Sequence, residues 1–80
     1  MSKYRLKPIA VEAWRNDDIG EHAPEWVDRY TARMTGGIRV MQTPDGQQAA
    51  AELGDWIVMR DGYVFPCRDE VFTTTYERVQ

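Results

Sequence analysis

Apolar and polar residues alternate over residues 7–14. Ile9, Val11 and Ala13 fall on one side, and Ala10, Glu12 and Trp14 on the other. A period of two predicts a strand with one apolar face. Pro8 has no amide hydrogen and suits the start of that strand or a sheet edge. Residues 16–23 break the pattern, with Gly20 as punctuation. From Pro24 the period lengthens. Trp26 or Val27, then Tyr30, then Met34 recur at three- and four-residue spacing, with Glu25, Asp28, Arg29 and Arg33 between them. This predicts an amphipathic helix of about three turns over residues 24–34. Pro24 fits its first turn, where a missing donor costs nothing, and Gly36-Gly37 is expected to stop it.

Alternation returns over residues 38–43, with Ile38, Val40 and Gln42 opposed to Arg39, Met41 and Thr43. Thr43-Pro44-Asp45-Gly46 then reads as a turn, with proline at the second position and glycine at the fourth. Residues 47–52 are expected to come back as a weaker strand, a short helix being the alternative for so alanine-rich a stretch. Leu53-Gly54-Asp55 is a further turn. Residues 56–60 and 63–65 flank Asp61-Gly62, the strongest short hairpin signal in the chain. A two-residue loop sets Arg60 against Tyr63, Met59 against Val64 and Val58 against Phe65. Both faces of this hairpin are then apolar and call for cover, from the fold or from a partner. Pro66 is expected to end the strand. Residues 68–74 suggest a helical turn capped by Asp69 with Val71 and Phe72 inward, and residues 75–79 a closing strand. The elements add up to an α+β domain: a small curled antiparallel sheet of four to six strands packed on one amphipathic helix, with a short C-terminal helical turn.

The length of 80 residues allows one domain, and a chain this short buries only about 60–65% of its unfolded surface. The large apolar residues are therefore needed in the core, and Trp56, Tyr63, Phe65, Phe72 and Tyr76 are assigned there rather than to a binding platform. A single cysteine, Cys67, rules out an internal disulfide framework and favours a reducing cytoplasm. Neither a signal peptide nor a membrane span is legible. The net charge is −3 and the ten basic residues are scattered, which argues against a nucleic-acid partner.

Catalytic and cofactor chemistry lack the residues they need. Ser2 is the only serine and His22 the only histidine. No spacing brings Cys67 and His22 together with an orienting group, as a catalytic thiol requires. A zinc site needs more Cys and His ligands than these two, and Gly36-Gly37 lacks the lysine and spacing of a phosphate loop. The expectation is a non-enzyme without cofactor or metal.

The concentrated feature is acidic. Asp17, Asp18, Glu21, Glu25 and Asp28 place five acids within twelve residues, with no Lys or Arg between them. Glu25 and Asp28 suit a helix start, as Arg29 and Arg33 suit its end. Asp17 and Asp18 lie outside the first turn and read better as part of a docking surface for a basic partner. Trp14, Trp26 and Tyr30 join the candidate surface, because an outward-facing tryptophan is a frequent interface anchor.

Four segments carry a resemblance: Gly54-Asp55-Trp56-Ile57, Phe65-Pro66-Cys67, Glu70-Val71-Phe72 and Thr75-Tyr76-Glu77, with Tyr4-Arg5-Leu6-Lys7-Pro8-Ile9 at the other end. In these the chain resembles a family of small proteins of tailed bacteriophages and prophages that has no assigned activity. The likeness covers about half the chain and leaves residues 16–52 aside. It departs at Leu53, where proline is common, at Tyr63, where an acid is expected, and at Arg68-Asp69-Glu70. The matching residues are apolar, aromatic and turn types, so the resemblance implies a shared fold and carries over no catalytic role. It implies a phage-encoded protein working in the host bacterial cytoplasm. The function expected is non-enzymatic binding that inhibits or modulates a host protein with a basic surface, such as an anti-phage defence component. The alternatives are a self-associating component of the phage particle, and a module that sequesters a small molecule or nucleotide.

Overall fold

The computed structural model describes residues 2–3, 10–17 and 23–77. Among these residues, six strands and two α-helices follow in the order β1 (Glu12–Arg15), α1 (Glu25–Tyr30), β2 (Thr31–Arg33), β3 (Arg39–Gln42), β4 (Gln48–Ala51), β5 (Trp56–Arg60), β6 (Tyr63–Cys67) and α2 (Asp69–Thr75). The domain is α+β, and its six strands divide into two antiparallel three-stranded sheets, β1-β5-β6 and β2-β3-β4. The predicted start of the first strand, residues 7–9, lies outside the described residues. Within them the strand begins only at Glu12.

The β5–β6 hairpin has the register that its turn dictates. Arg60 pairs with Tyr63, Met59 with Val64 and Val58 with Phe65. Asp61 and Gly62 take φ of 52° and 82°, the left-handed pair that joins twisted strands in a two-residue loop. Pairing continues through Pro66, opposite Ile57, to Cys67 opposite Trp56, so Pro66 does not end the strand. Hydrogen-bonded and non-bonded pairs alternate from the turn. Pro66 thus falls in a non-bonded pair on an edge strand, where its missing donor removes no ladder bond.

The helix is half the predicted length. It stops at Tyr30, and Thr31 is extended, with φ of −133° and ψ of 158°. Thr31, Ala32 and Arg33 pair instead with Met41, Val40 and Arg39. The amide of Thr31 still reaches the Val27 carbonyl and its hydroxyl donates to the same oxygen at 2.6 Å, which closes the helix end. Gly36-Gly37 accordingly does not cap a helix. It forms a 3₁₀ turn with both residues near φ of +80°, tied by the Met34 amide to the Ile38 carbonyl at 2.7 Å. A strand partner in reach competes with the last turns of a marginal helix and wins here.

Thr43-Pro44-Asp45-Gly46 turns the chain as predicted, with the Gly46 amide on the Thr43 carbonyl at 2.9 Å. The alanine-rich stretch after it is a strand, not a helix. Exposed Asp45 is held below the usual carboxylate range by the Thr43 hydroxyl and then by the Gln47 backbone. Its contribution to the turn is present at neutral pH and is lost as acid protonates it.

The core lies between the two sheets. Ile57 and Val64 meet Met41, Ala51 and Val27 of α1, with Trp14, Trp26 and Met59 half-buried against them. The buried apolar side chains are all non-aromatic. The five aromatics assigned to the core are not among them: Trp56, Phe65, Phe72 and Tyr76 are half-buried and Tyr63 is 54% exposed. Trp56, Tyr63 and Phe65 lie on the other side of the β5–β6 hairpin, where Val58 is the fully buried residue, Phe72 lies in α2 and Tyr76 just past it. Val71 is 52% exposed rather than inward. Thr75 ends α2, and Tyr76 and Glu77 form no strand. Residues 78 and 79 of the expected closing strand lie outside the described residues.

Candidate functional site

The structure separates the acidic residues by what they do. Asp18, Glu21 and His22 lie outside the described residues. Asp17 is half-buried just past β1, its amide on the Arg15 carbonyl at 3.1 Å. Glu25 accepts a 2.5 Å hydrogen bond from Arg29 one turn on, and both side chains are exposed. A pair of this kind at a surface contributes about 0.3–0.5 kcal/mol. Asp28 is a different case. Its carboxylate is largely exposed, but it accepts a 3.0 Å hydrogen bond from Arg39, whose side chain is 8% exposed.

Arg39 is the hub of this side of the molecule. Its guanidinium also donates to the Thr31 hydroxyl at 3.2 Å and lies 5.3 Å from the centre of the Trp14 ring. One buried cation thereby ties α1, β2 and β1 to β3. The aromatic face beneath the guanidinium adds an attraction of about 0.5–2 kcal/mol. Trp14 and Trp26 both pack against the core. Tyr30, at 42%, and Met34, at 52%, are the exposed large residues at either end of β2.

Asn16 closes the opposite end of β1. It is 1% exposed. Its side-chain amide donates to the carbonyls of Gly37 at 2.9 Å and Ala51 at 3.1 Å, and more weakly to Glu52 at 3.4 Å. Its backbone amide reaches the Asp55 carbonyl at 2.8 Å, and its carbonyl accepts from Gly54 at 2.7 Å. One side chain therefore stitches the first sheet to both hairpin ends of the second. Neither Asn16 nor Arg39 was a sequence candidate. For Arg39 a signal existed, since alternation puts it on the same side of β3 as Met41. For Asn16 there was none.

Beyond the acidic side, an open cleft of about 380 Å³ is lined by Ala50, Glu52, Asp55, Pro66, Cys67 and Arg68. Burial, and then the Asp55 carboxylate, push the Cys67 thiol up from its ordinary value, which favours the protonated, unreactive form. Iodoacetamide should therefore modify Cys67 at least about fivefold more slowly at pH 8 than a free cysteine peptide, with the gap closing in denaturant. Equal rates in the folded protein would show that Asp55 and burial do not restrain the thiol. No group of three or more His, Cys, Asp or Glu side chains among the described residues is placed to hold a metal ion. Among them, too, no helix is long and apolar enough to cross a membrane.

Compared with protein-family models, curated proteins and solved structures, the chain matches none.

Proposed function

We propose that this chain is a phage-encoded binding protein that modulates a host protein, such as a component of an anti-phage defence, by occupying its surface in the host cytoplasm. The observation that carries the reading is the surface around α1 and β2. Tyr30 and Met34 are exposed at the two ends of β2, and the helix that ends at Tyr30 also bears the exposed carboxylates of Glu25 and Asp28. An exposed amphipathic aromatic ring on an element that also carries acidic groups suits a partner that offers an apolar notch and basic residues. The resemblance to small phage proteins supplies the source and the class of target, and is an analogy.

Trp26 and Asp28 are poor places to test this, because Trp26 packs on the core and Asp28 holds Arg39. Tyr30→Ala with Met34→Lys changes the exposed surface and leaves the core alone. A tagged chain should enrich one host protein from bacterial lysate, and the double variant should lose it by about tenfold or more, since central aromatic anchors contribute about 2 kcal/mol or more. Retention of that protein by the double variant, at high as well as low salt, would place the interface elsewhere. If no protein is enriched while light scattering finds a concentrated sample associated, self-assembly replaces this reading.

A further inference from the structure

The geometry points to α2 as a releasable strap, one that can leave the first sheet while the core between the sheets stays folded. Seven residues are too few to hold a helix alone in water, where about 12–15 are marginal. No residue of α2 is buried, and its N-cap, Arg68, makes no side-chain capping bond. Asp69, the expected cap, is used elsewhere: its carboxylate accepts the Trp56 indole N–H at 2.8 Å and lies 3.7 Å from Arg15 Nε.

The attachment is narrow. Among the described residues, every side-chain hydrogen bond, ion pair and ring contact between α2 and a strand ends on Trp56 or Arg15, which face each other across β5 and β1. Phe72 stacks on Trp56 with ring centres 4.0 Å apart and planes 11° from parallel, and Tyr76 leans on Phe72 at 4.9 Å. The three rings form a ladder that begins on the sheet and ends beyond the helix. The hydroxyls of Thr73 and Thr74 bond back to carbonyls of Asp69 and Glu70 inside the helix and add nothing to docking.

The core cluster of Val27, Met41, Ala51, Ile57 and Val64 contains no residue of α2. Loss of the ladder and of the Asp69 clip therefore costs the core nothing directly. Release would free one face of the Trp56 indole. The strap is a local opening of low free energy, built into an otherwise cooperative domain.

Amide hydrogen exchange of the intact chain under native conditions tests this. The amides of Phe72 and Tyr76, bonded to Arg68 and Phe72 carbonyls, should exchange about 100-fold or more faster than those of Ile57 and Val58 in β5. Phe72→Ala should raise exchange in α2 further and leave β5 unchanged within about threefold, and Asp69→Asn should do the same to a smaller extent. Equal opening free energies for α2 and β5 in the unmodified chain would overturn the proposal. So would a Phe72→Ala variant in which both segments lose protection together. The first comparison needs no variant and decides the question even if a substitution prevents folding.

Discussion

Asn16→Leu is expected to lower the stability of the fold by about 3 kcal/mol, the largest effect of any single exchange of a polar residue here. The side-chain amide satisfies two fully buried carbonyls, those of Gly37 and Ala51. A buried acceptor left without a donor costs about 1–3 kcal/mol, and the Ala51 carbonyl, which keeps its ladder partner Arg39, adds less than that of Gly37. A domain of this size has only about 4–12 kcal/mol in total. Urea denaturation should show the loss, and the thermal midpoint should fall by about 15 °C or more. Asn16→Asp tests the same point by charge. It keeps the shape but points a carboxylate at two carbonyl oxygens. Burial and repulsion raise the folded-state pKa of such a group, so its deficit against the parent chain should be largest at neutral pH and shrink on acidification. A loss below about 1 kcal/mol for Asn16→Leu would show that water or a relaxed backbone takes over these acceptors.

Arg39→Ala is expected to be nearly as damaging, at about 2–3 kcal/mol, and the comparison with two other variants is what identifies the cause. The alanine variant loses the stem that fills the space beside Trp14, along with the bonds to Asp28 and Thr31. Arg39→Met keeps most of the stem and removes a charge that is costly to bury, so it should lose less than about 1.5 kcal/mol. Asp28→Ala leaves the guanidinium in place without its carboxylate. Breaking a fully buried pair costs about 3–5 kcal/mol. Because Asp28 is 62% exposed and Thr31 remains an acceptor, solvent reduces this to about 1–2 kcal/mol. The order expected in chemical denaturation is therefore alanine at 39, alanine at 28, methionine at 39. If methionine at 39 is as harmful as alanine, the ionic network rather than the packing of the stem holds the strands together.

These two residues also mark where the sequence stopped being informative. The β5–β6 register was legible because Asp61-Gly62 acts on its immediate neighbours, and turn chemistry is a local rule. The role of Asn16 depends on carbonyls 21 and 35 positions away, and no property of a lone asparagine in a loop announces such partners. The helix was overread for the same reason. Val27, Tyr30 and Met34 satisfy a helical period, but β3 offers Thr31, Ala32 and Arg33 a ladder that only the folded chain brings near. The aromatics were assigned to the core by size. In the structure, non-aromatic residues fill the space between the two sheets, and Trp56, Phe72 and Tyr76 fasten α2 on the outside.

Of the candidate surface, the sequence placed Glu25, Asp28 and Tyr30 on one helix of about three turns, and the shorter α1 still carries all three. What it did not convey is that Asp28 is also structural, so that acidity and stability are tied together on this side. A charge reversal at 28 would alter both.

Pro66 has a consequence for how the molecule meets copies of itself. Next to last in β6, an edge strand among the described residues, its ring nitrogen points away from β5 and offers no donor. A strand arriving from another chain would find a gap in the row of amides it must pair with, and its ladder would break there. Open strand edges are templates for aggregation, and nature blunts them with such residues. The proline in β6 therefore acts as a gatekeeper, limiting growth of the first sheet beyond the three strands it contains.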